Sequence, residues 1–365
     1  MESLTHIIIT EQAGRFAGWP ANYGIWSWGE EVVVGFALGW HDPNAPFHAR
    51  DRTRPMLPMQ ARSLDGGRTW SVEPMPVQSP GGTGISADEH MIPALQAAEA
   101  IRQGRPPLPA PCPGTIDFTH PDFAWLCART GLGKGTLAWF YLSTDRCHTW
   151  QGPYRLPSFG LAGVEARTDV IVTGPREALL LLTASKRTGG EGSGVFCART
   201  TDGGQSFERL AWVARARGTG FKIMPATAHL GGNELRTAVR CQTATSGAVE
   251  VYASSDLGRT WRFLSRPARF AGRVSNPPAL TLLPDGRLAL VYGYRLPPYG
   301  LRARLSADGG AAWGTEIVLR SDGGSPDLGY PRTVLLPGGD LLTVYYFNTA
   351  PDRERHIAAT RWRPC

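Results

Sequence analysis

Three features of the sequence predict an all-β fold, a six-bladed β-propeller. The first is an eight-residue motif that recurs five times: "SLDGGRTW" at 63–70, "STDRCHTW" at 143–150, "TTDGGQSF" at 200–207, "SSDLGRTW" at 254–261 and "SADGGAAW" at 306–313. The starts lie 80, 57, 54 and 52 residues apart, and a period near 50 residues is the length of one four-stranded blade. The second is composition: 44 Gly, 30 Pro and 12 Trp in 365 residues describe a turn-rich β chain able to bury a large core. The third is a unit without the motif at about 329–362, which makes a sixth repeat. The strand "THIIIT" near the N-terminus is expected to pair into that last blade, closing the ring and removing its exposed edges.

Each residue of the motif suits a tight turn between two strands. The Asp carboxylate accepts from backbone N–H groups, and Gly takes positive φ at no steric cost. The Ser and Thr hydroxyls bond the remaining polar groups, and the aromatic residue opens the next strand. Two copies lapse, with Cys147 at the Gly place and Ala312 at the Thr place. A catalytic group is needed once and not five times, so the motif is read as structural.

The repeat is the Asp-box, or BNR, signature, and the chain resembles the sialidase superfamily of β-propellers. The resemblance implies a sialidase-like glycoside hydrolase in which Arg residues hold a substrate carboxylate, a Tyr paired with a Glu is the nucleophile, and an Asp is the acid/base. The segment "DLGYPRTV" puts Tyr330 at the nucleophile position. Arg240 and Arg295, each at the end of a second strand, match two members of the Arg triad, and Asp51, before the first box, matches the acid/base. Two positions depart from the pattern. "NYGIW" has Gly24 where the family has its first Arg, and "KIMPAT" has Met224 and Pro225 where the Glu is expected. A Tyr hydroxyl titrates near 10, so it is a poor nucleophile without a neighbouring base. Either Asp169 or Glu165 supplies that base, or Tyr330 does another job.

Composition narrows the function. The formal charge of +7 comes with no Lys/Arg run and no recognition motif, so nucleic acid is not the expected partner. The six Cys show no metal-ligand spacing, and neither a metal nor another cofactor is expected. The start "MESLTHIIIT" lacks a basic n-region and a long apolar stretch, so no membrane span is expected, and the protein is expected to be cytoplasmic with reduced thiols, or secreted if a leader has been removed.

Strand parity sorts the remaining residues. If the boxes lie between third and fourth strands, the first-to-second turns share their face: "WGEE", "GPRE", "LGGNE", "LPDGR" and "LPGGD". The opposite face then gathers Asn22, Tyr23, His41, Asp42 and Asp51 from blade 1, and "DFTHPD" with His120 from blade 2. Blade 3 adds Glu165, Arg167, Asp169, Lys186 and Arg187, and blade 4 adds Met224 and Arg240. Blade 5 adds Arg273, Asn276, Arg295 and Tyr299, and blade 6 adds Asp327, Tyr330 and Arg332. Guanidiniums converging on one mouth suit an acidic carbohydrate, because Arg binds carboxylate bidentately. Tyr330, Asp51, Asp169 and His120 are the catalytic candidates. Arg240, Arg295, Arg167, Arg332 and Asn276 are the substrate-binding ones.

The whole chain, 1–365, is read as one propeller domain, with 74–115 an insertion between blades 1 and 2 on the site face. Within it "SADEHMIPALQAAEAIRQG" combines a capping box, Ser86 with Glu89, and an apolar helical face, which predicts a short helix over the rim. The leading reading is removal of a terminal acidic sugar, sialic acid-like or uronic, from a glycan. A polysaccharide lyase with Tyr330 or His120 as base, and a non-catalytic carbohydrate-binding propeller, are the alternatives.

Overall fold

A computed structural model describes residues 4–80, 85–87, 90–105, 108–185, 193–216, 218 and 220–364. Its strands form six antiparallel sheets around one axis. Blade 4 shows the plan, with Phe221–Gly231, Glu234–Gln242, Ser246–Ser254 and Arg262–Ala271 hydrogen-bonded in chain order from the axis outward. Blade 5 repeats it with Pro278–Leu282, Leu288–Tyr294, Tyr299–Ser306 and Ile317–Gly323. Blade 6 has only three strands of its own, Gly329–Leu335, Leu341–Phe347 and His356–Trp362, and its outer strand is Thr5–Thr10, paired antiparallel with His356–Trp362. The N-terminal segment closes the ring as the sequence predicts.

The second strands, such as Glu177–Ala184 and Leu341–Phe347, are buried on both faces and carry near-continuous apolar runs. Their side chains fill the spaces between blades. One cluster joins Leu180, Leu182 and Phe196 of blade 3 to Trp125 and Phe140 of blade 2, and another joins Leu179, Leu181 and Val195 to Val239 of blade 4. The largest runs from Val344 and Tyr346 of blade 6 through Phe36 of blade 1 to Trp139 of blade 2.

All five boxes stand between third and fourth strands. In the first, Asp65 Oδ1 accepts from the N–H of Arg68 and Thr69, each at 2.9 Å, and Oδ2 accepts from the Thr69 hydroxyl at 2.6 Å. The Trp70 indole N–H turns back to the Gly67 carbonyl at 3.0 Å. Gly67 sits at φ 83°, and a Cβ there would lie 2.6 Å from Leu342 of blade 6, so conformation and space both demand glycine. The two lapses have visible costs. Cys147 takes φ 66° with a Cβ, and Asp308, which keeps the Ser306 hydroxyl and the Ala312 N–H, lacks the second hydroxyl that the residue at the Ala312 place gives the carboxylate in the other boxes.

Bonds between turns identify the box face. Gly66 N–H donates to Glu30, Gly203 N–H to Arg176 and Leu257 N–H to Asn233, each a bond to the first-to-second turn of its own blade. The same rule corrects one expectation. Arg146 of the second box donates its N–H to Asp122 at 3.1 Å and its Nε to the Asp122 carboxylate at 2.6 Å. Residues 117–122, with His120, are therefore the first-to-second turn of blade 2 and lie on the box face. The misreading arose because the segment before Ala124–Arg129 is Pro- and Gly-rich and forms no regular inner strand, so parity had nothing to count.

The insertion divides. Ile85 and Ser86 accept from the Tyr23 hydroxyl and Asn22 Nδ2, and Ile92 N–H donates to Arg52, which places this part on the face opposite the boxes. Its helix is a single six-residue segment, Ala97–Arg102, preceded by a 3-10 turn at Pro93–Leu95, because Pro93 lacks the N–H a longer helix would need. Glu89, the second half of the proposed capping box, lies outside the described residues. Beyond Leu108 the chain runs along the outer strand of blade 2, where Ala110 bridges Tyr154, and reaches the third box, where the Cys112 thiol donates to Gly203. That stretch is not on the site face.

Asp256 accepts from the Thr260 N–H at 2.9 Å and the Thr260 hydroxyl at 2.6 Å. Asp256→Ala is expected to destabilise the fold by about 1–3 kcal/mol, by leaving those donors unsatisfied. Urea denaturation measures the cost, and any activity per folded molecule should stay at the wild-type level.

Candidate functional site

The inner strands are irregular at one height, near the face opposite the boxes. In blade 1 the first-strand position is filled by two segments, Arg15–Gly18 and Ile25–Trp28, separated by a 3-10 turn at Pro20–Asn22. Blade 3 is likewise split, between Val164–Glu165 and Val170–Gly174, with Arg167 and Asp169 in the gap. In blade 4 the register slips between Ile223 and Pro225, leaving Met224 at φ 56°. In blade 6 it slips between Gly329 and Arg332, leaving Tyr330 at φ 53°. Bulges of this kind re-aim side chains, and strained backbone at one level marks a site worth building from its atoms.

Tyr330 is the centre. Arg240 Nη1 donates to its hydroxyl at 3.2 Å, and the Arg240 and Arg295 guanidinium carbons lie 5.8 and 5.5 Å from the centroid of its ring. Burial pushes the phenol up, but Arg240, Arg295 and Arg167 together outweigh it and hold it below its ordinary value. No carboxylate bonds the hydroxyl among the described residues. At the position of the missing Glu, the Met224 thioether is the weak acceptor for Arg240 Nη1 at 3.8 Å. The third guanidinium comes from blade 3. Arg167 Nε donates to Asn22 at 2.8 Å, two residues before the Gly24 that stands where an Arg was sought.

Asn276 gives both ends of its amide to the backbone. Its Oδ1 accepts from the Tyr330 N–H at 2.8 Å and its Nδ2 donates to Leu328 at 3.0 Å, so it holds the backbone on both sides of Gly329. Arg295 shares this task, giving Nε and Nη2 to the Leu328 carbonyl and Nη2 also to the Tyr346 hydroxyl at 3.0 Å. Among the described residues its Nη1 has no bond.

Asp327 carries the wall beside it. Its carboxylate takes bonds from His48 Nδ1 at 2.7 Å, Tyr346 at 2.8 Å, Arg355 Nε at 2.9 Å and the Ala49 N–H at 3.1 Å. Burial alone would raise its pKa, yet His48, Arg355 and Tyr346 hold it far below the usual carboxylate range. Sequence reading missed His48. It opens the loop "HARDRTR", 48–54, in which sequence makes only Asp51 a candidate, and its partner is 279 residues away.

The other candidates are dispersed. Asp51 Oδ1 accepts from the Thr53 N–H at 2.8 Å and the Thr53 hydroxyl at 2.6 Å, bonds that stay within its own loop and lower its pKa. Glu165 accepts from Gly133 N–H. His120 is exposed on the opposite face. Lys186 and Arg187 lie outside the described residues. Asp169 and Arg332 face a cavity of about 280 Å³ that also takes in Trp26, Phe123 and Val172. Arg332 Nη2 donates to Ala21, and Asp169 accepts from the Thr227 N–H at 3.0 Å and hydroxyl at 2.8 Å. Among the described residues, no three His, Cys, Asp or Glu stand together as a metal site, and no helix is long and apolar enough to cross a membrane.

Burial pushes the Asp169 carboxyl up to about 6, against the bonds from Thr227 and the charge of Arg332. Its folded value lies above the unfolded one, so the folded state keeps a proton between the two that the unfolded state has lost. Above pH 6 the charged form then costs up to about 3 kcal/mol. Asp169→Asn keeps an acceptor for Thr227 N–H and is expected to stabilise the protein at pH 8. Urea denaturation across pH should show that gain shrinking as pH falls through 6 towards 4.

No curated protein matches this sequence. Solved structures of similar fold include a Dyadobacter fermentans protein described as of unknown function, with 20% identity, a TM-score of 0.74 and all of both chains covered. A Trypanosoma rangeli sialidase mutant displaying trans-sialidase activity is 10% identical at TM-score 0.61, over 98% of this chain and 58% of that one. A Penicillium chrysogenum α-L-arabinanase complexed with arabinobiose is 12% identical at TM-score 0.61, over 97% of each chain. At such identities the likeness is one of fold. The family model of the BNR repeat-like domain matches residues 123–343, from the second strand of blade 2 into blade 6 and over more than half of the chain. This sialidase-like propeller belongs to the BNR repeat-like domain family.

Proposed function

We propose that this protein is a glycoside hydrolase acting on a terminal acidic sugar. Arg240, Arg295 and Arg167 hold the carboxylate of the sugar, and the Tyr330 oxygen attacks the anomeric carbon. One observation carries the reading. The Tyr330 hydroxyl accepts from Arg240, and its proton is made easier to lose by three guanidiniums, where the sialidase pattern would use a Glu. Cationic neighbours stabilise a phenolate directly, which lessens the nucleophile's dependence on a separate base. The names of structural neighbours, sialidases and arabinan-cleaving enzymes among them, agree with a glycosidase on this scaffold. With Gly24 and Met224 at two family positions, the pocket differs from that of an ordinary sialidase, and another acidic sugar, uronic rather than sialic, is the preferred substrate.

A lyase is the second reading, favoured by the same absence of a carboxylate at the hydroxyl. A phenolate can remove the proton next to a uronate carboxylate that Arg side chains neutralise. The products separate the two, since elimination leaves an unsaturated uronide that absorbs in the near ultraviolet and hydrolysis does not.

A panel of aryl uronides and sialosides is the test. Turnover of a uronide without ultraviolet absorbance is expected, with little activity on sialosides. Arg240→Ala should raise KM at least tenfold, about 1.4 kcal/mol. Tyr330→Phe should lower kcat by roughly 10³ or more while KM and the fold hold. Efficient cleavage of a simple sialoside would overturn the sugar preference, and full activity of Tyr330→Phe would overturn the assignment of the nucleophile.

A further inference from the structure

Resting on the reading that this site cleaves a glycosidic bond, we infer that His48, held by Asp327, is its general acid and base. Its Nε2–H protonates the departing glycosidic oxygen. The same nitrogen then takes the proton of the incoming water.

Four observations carry this. First, the pair has the geometry that sets a tautomer. Asp327 is 1% exposed and bonds His48 Nδ1 at 2.7 Å, so Nδ1 carries the proton given to the carboxylate and Nε2 is the working nitrogen. Second, Nε2 has no hydrogen-bond partner among the described residues, and the side chain keeps 13% of its surface open. The ring is fixed by rings around it: Phe47 at 4.7 Å, His90 at 5.0 Å and Trp19 at 5.1 Å between centroids. Third, His48 shares a wall with the nucleophile. The Tyr346 hydroxyl links Asp327 to Arg295, and its ring meets Tyr330 edge to face at 5.8 Å. Phe47, the residue before His48, is 58% exposed at φ 70°, with the Arg295 guanidinium 5.4 Å from its ring centroid. Fourth, the carboxylate that resemblance offered for the role is engaged elsewhere. Asp51 Oδ1 takes the Thr53 N–H and hydroxyl within its own loop, and these bonds lower its pKa, the wrong direction for an acid.

The step balances. The nucleophile enters the step as the phenolate, and as the Tyr330 oxygen bonds the anomeric carbon, the bond from that carbon to the leaving oxygen breaks. Its electron pair stays on the oxygen, which takes the proton from Nε2 and departs as an alcohol. Water then attacks the anomeric carbon, gives one proton to Nε2, and expels the Tyr330 oxygen as phenolate.

A purely structural His48 would instead serve only to neutralise Asp327, and leaving-group dependence separates the two roles. The experiment compares the full chain and its His48→Asn variant on two glycosides of the acidic sugar that the wild type cleaves fastest. One carries 4-nitrophenol, which leaves without a proton, and the other carries methanol, which needs one. Asn keeps a donor for Asp327 and removes Nε2, and circular dichroism checks the fold; His48→Gln replaces it if the first variant does not fold. The expected result is a loss of about 100-fold or more in kcat/KM on the methyl glycoside, with a loss of only a few-fold on the nitrophenyl one. An active wild type whose variants lose equally on both, or lose nothing, overturns the assignment of His48 alone. A wild type that cleaves no glycoside overturns the reading of the site, and this assignment with it.

Discussion

The pairing of Thr5–Thr10 with His356–Trp362 is the constraint on which the molecule depends. Six sheets can share one axis only if the last lies against the first, and here the last sheet is completed by the beginning of the chain. Closure is reinforced at the seam by backbone as well as side chains. Ala17 N–H donates to Arg355 at 2.8 Å, and Gly14 N–H reaches the Glu354 carboxylate at 2.9 Å. The largest apolar cluster depends on it, because the packing of blade 6 against blade 1 exists only when the circle is complete.

Within that frame, the site is made by departures from regular strand. A regular inner strand would spend its polar groups on pairing. Here the breaks beside Asn22 and Arg167, and the bulges at Met224 and Tyr330, release side chains towards the axis at one level. Such conformations persist only when neighbours over-determine them. Asn276 supplies that for Tyr330, gripping the peptides on either side of Gly329, whose φ of 101° no other residue takes comfortably. Two side chains read from sequence as ligand contacts, Asn276 and Arg295, thus spend most of their hydrogen bonds on the backbone that aims Tyr330.

What the sequence shows plainly is whatever repeats or is local. The boxes are local turns with one donor and acceptor pattern, and their spacing announces the blades before any contact is known. Tyr330, Arg240 and Arg295 were legible for a related reason, since each stands at a fixed place relative to a strand end. His120 was misplaced where the repeat fails, because the inner strand of blade 2 is replaced by a Pro- and Gly-rich passage. His48 was invisible because its meaning lies in Asp327, and no pattern along the chain joins residues 279 positions apart. Asp51 illustrates the converse. Its position matches the acid/base that the resemblance implies, but a Thr two residues later takes its carboxylate.

The bond between His48 and Asp327 spans the seam between the first blade and the last. The ribosome makes His48 long before Asp327, and the strand that completes the last sheet before any of its partners. A growing chain therefore holds its first blade without the carboxylate that orients its imidazole, and without Tyr330. Contacts of such sequence separation form late, because their loop entropy must be overcome first. Assembly of the cluster around Tyr330 and locking of the ring are thus one event in the life of the polypeptide, and an incompletely folded chain holds none of the cluster in its final geometry.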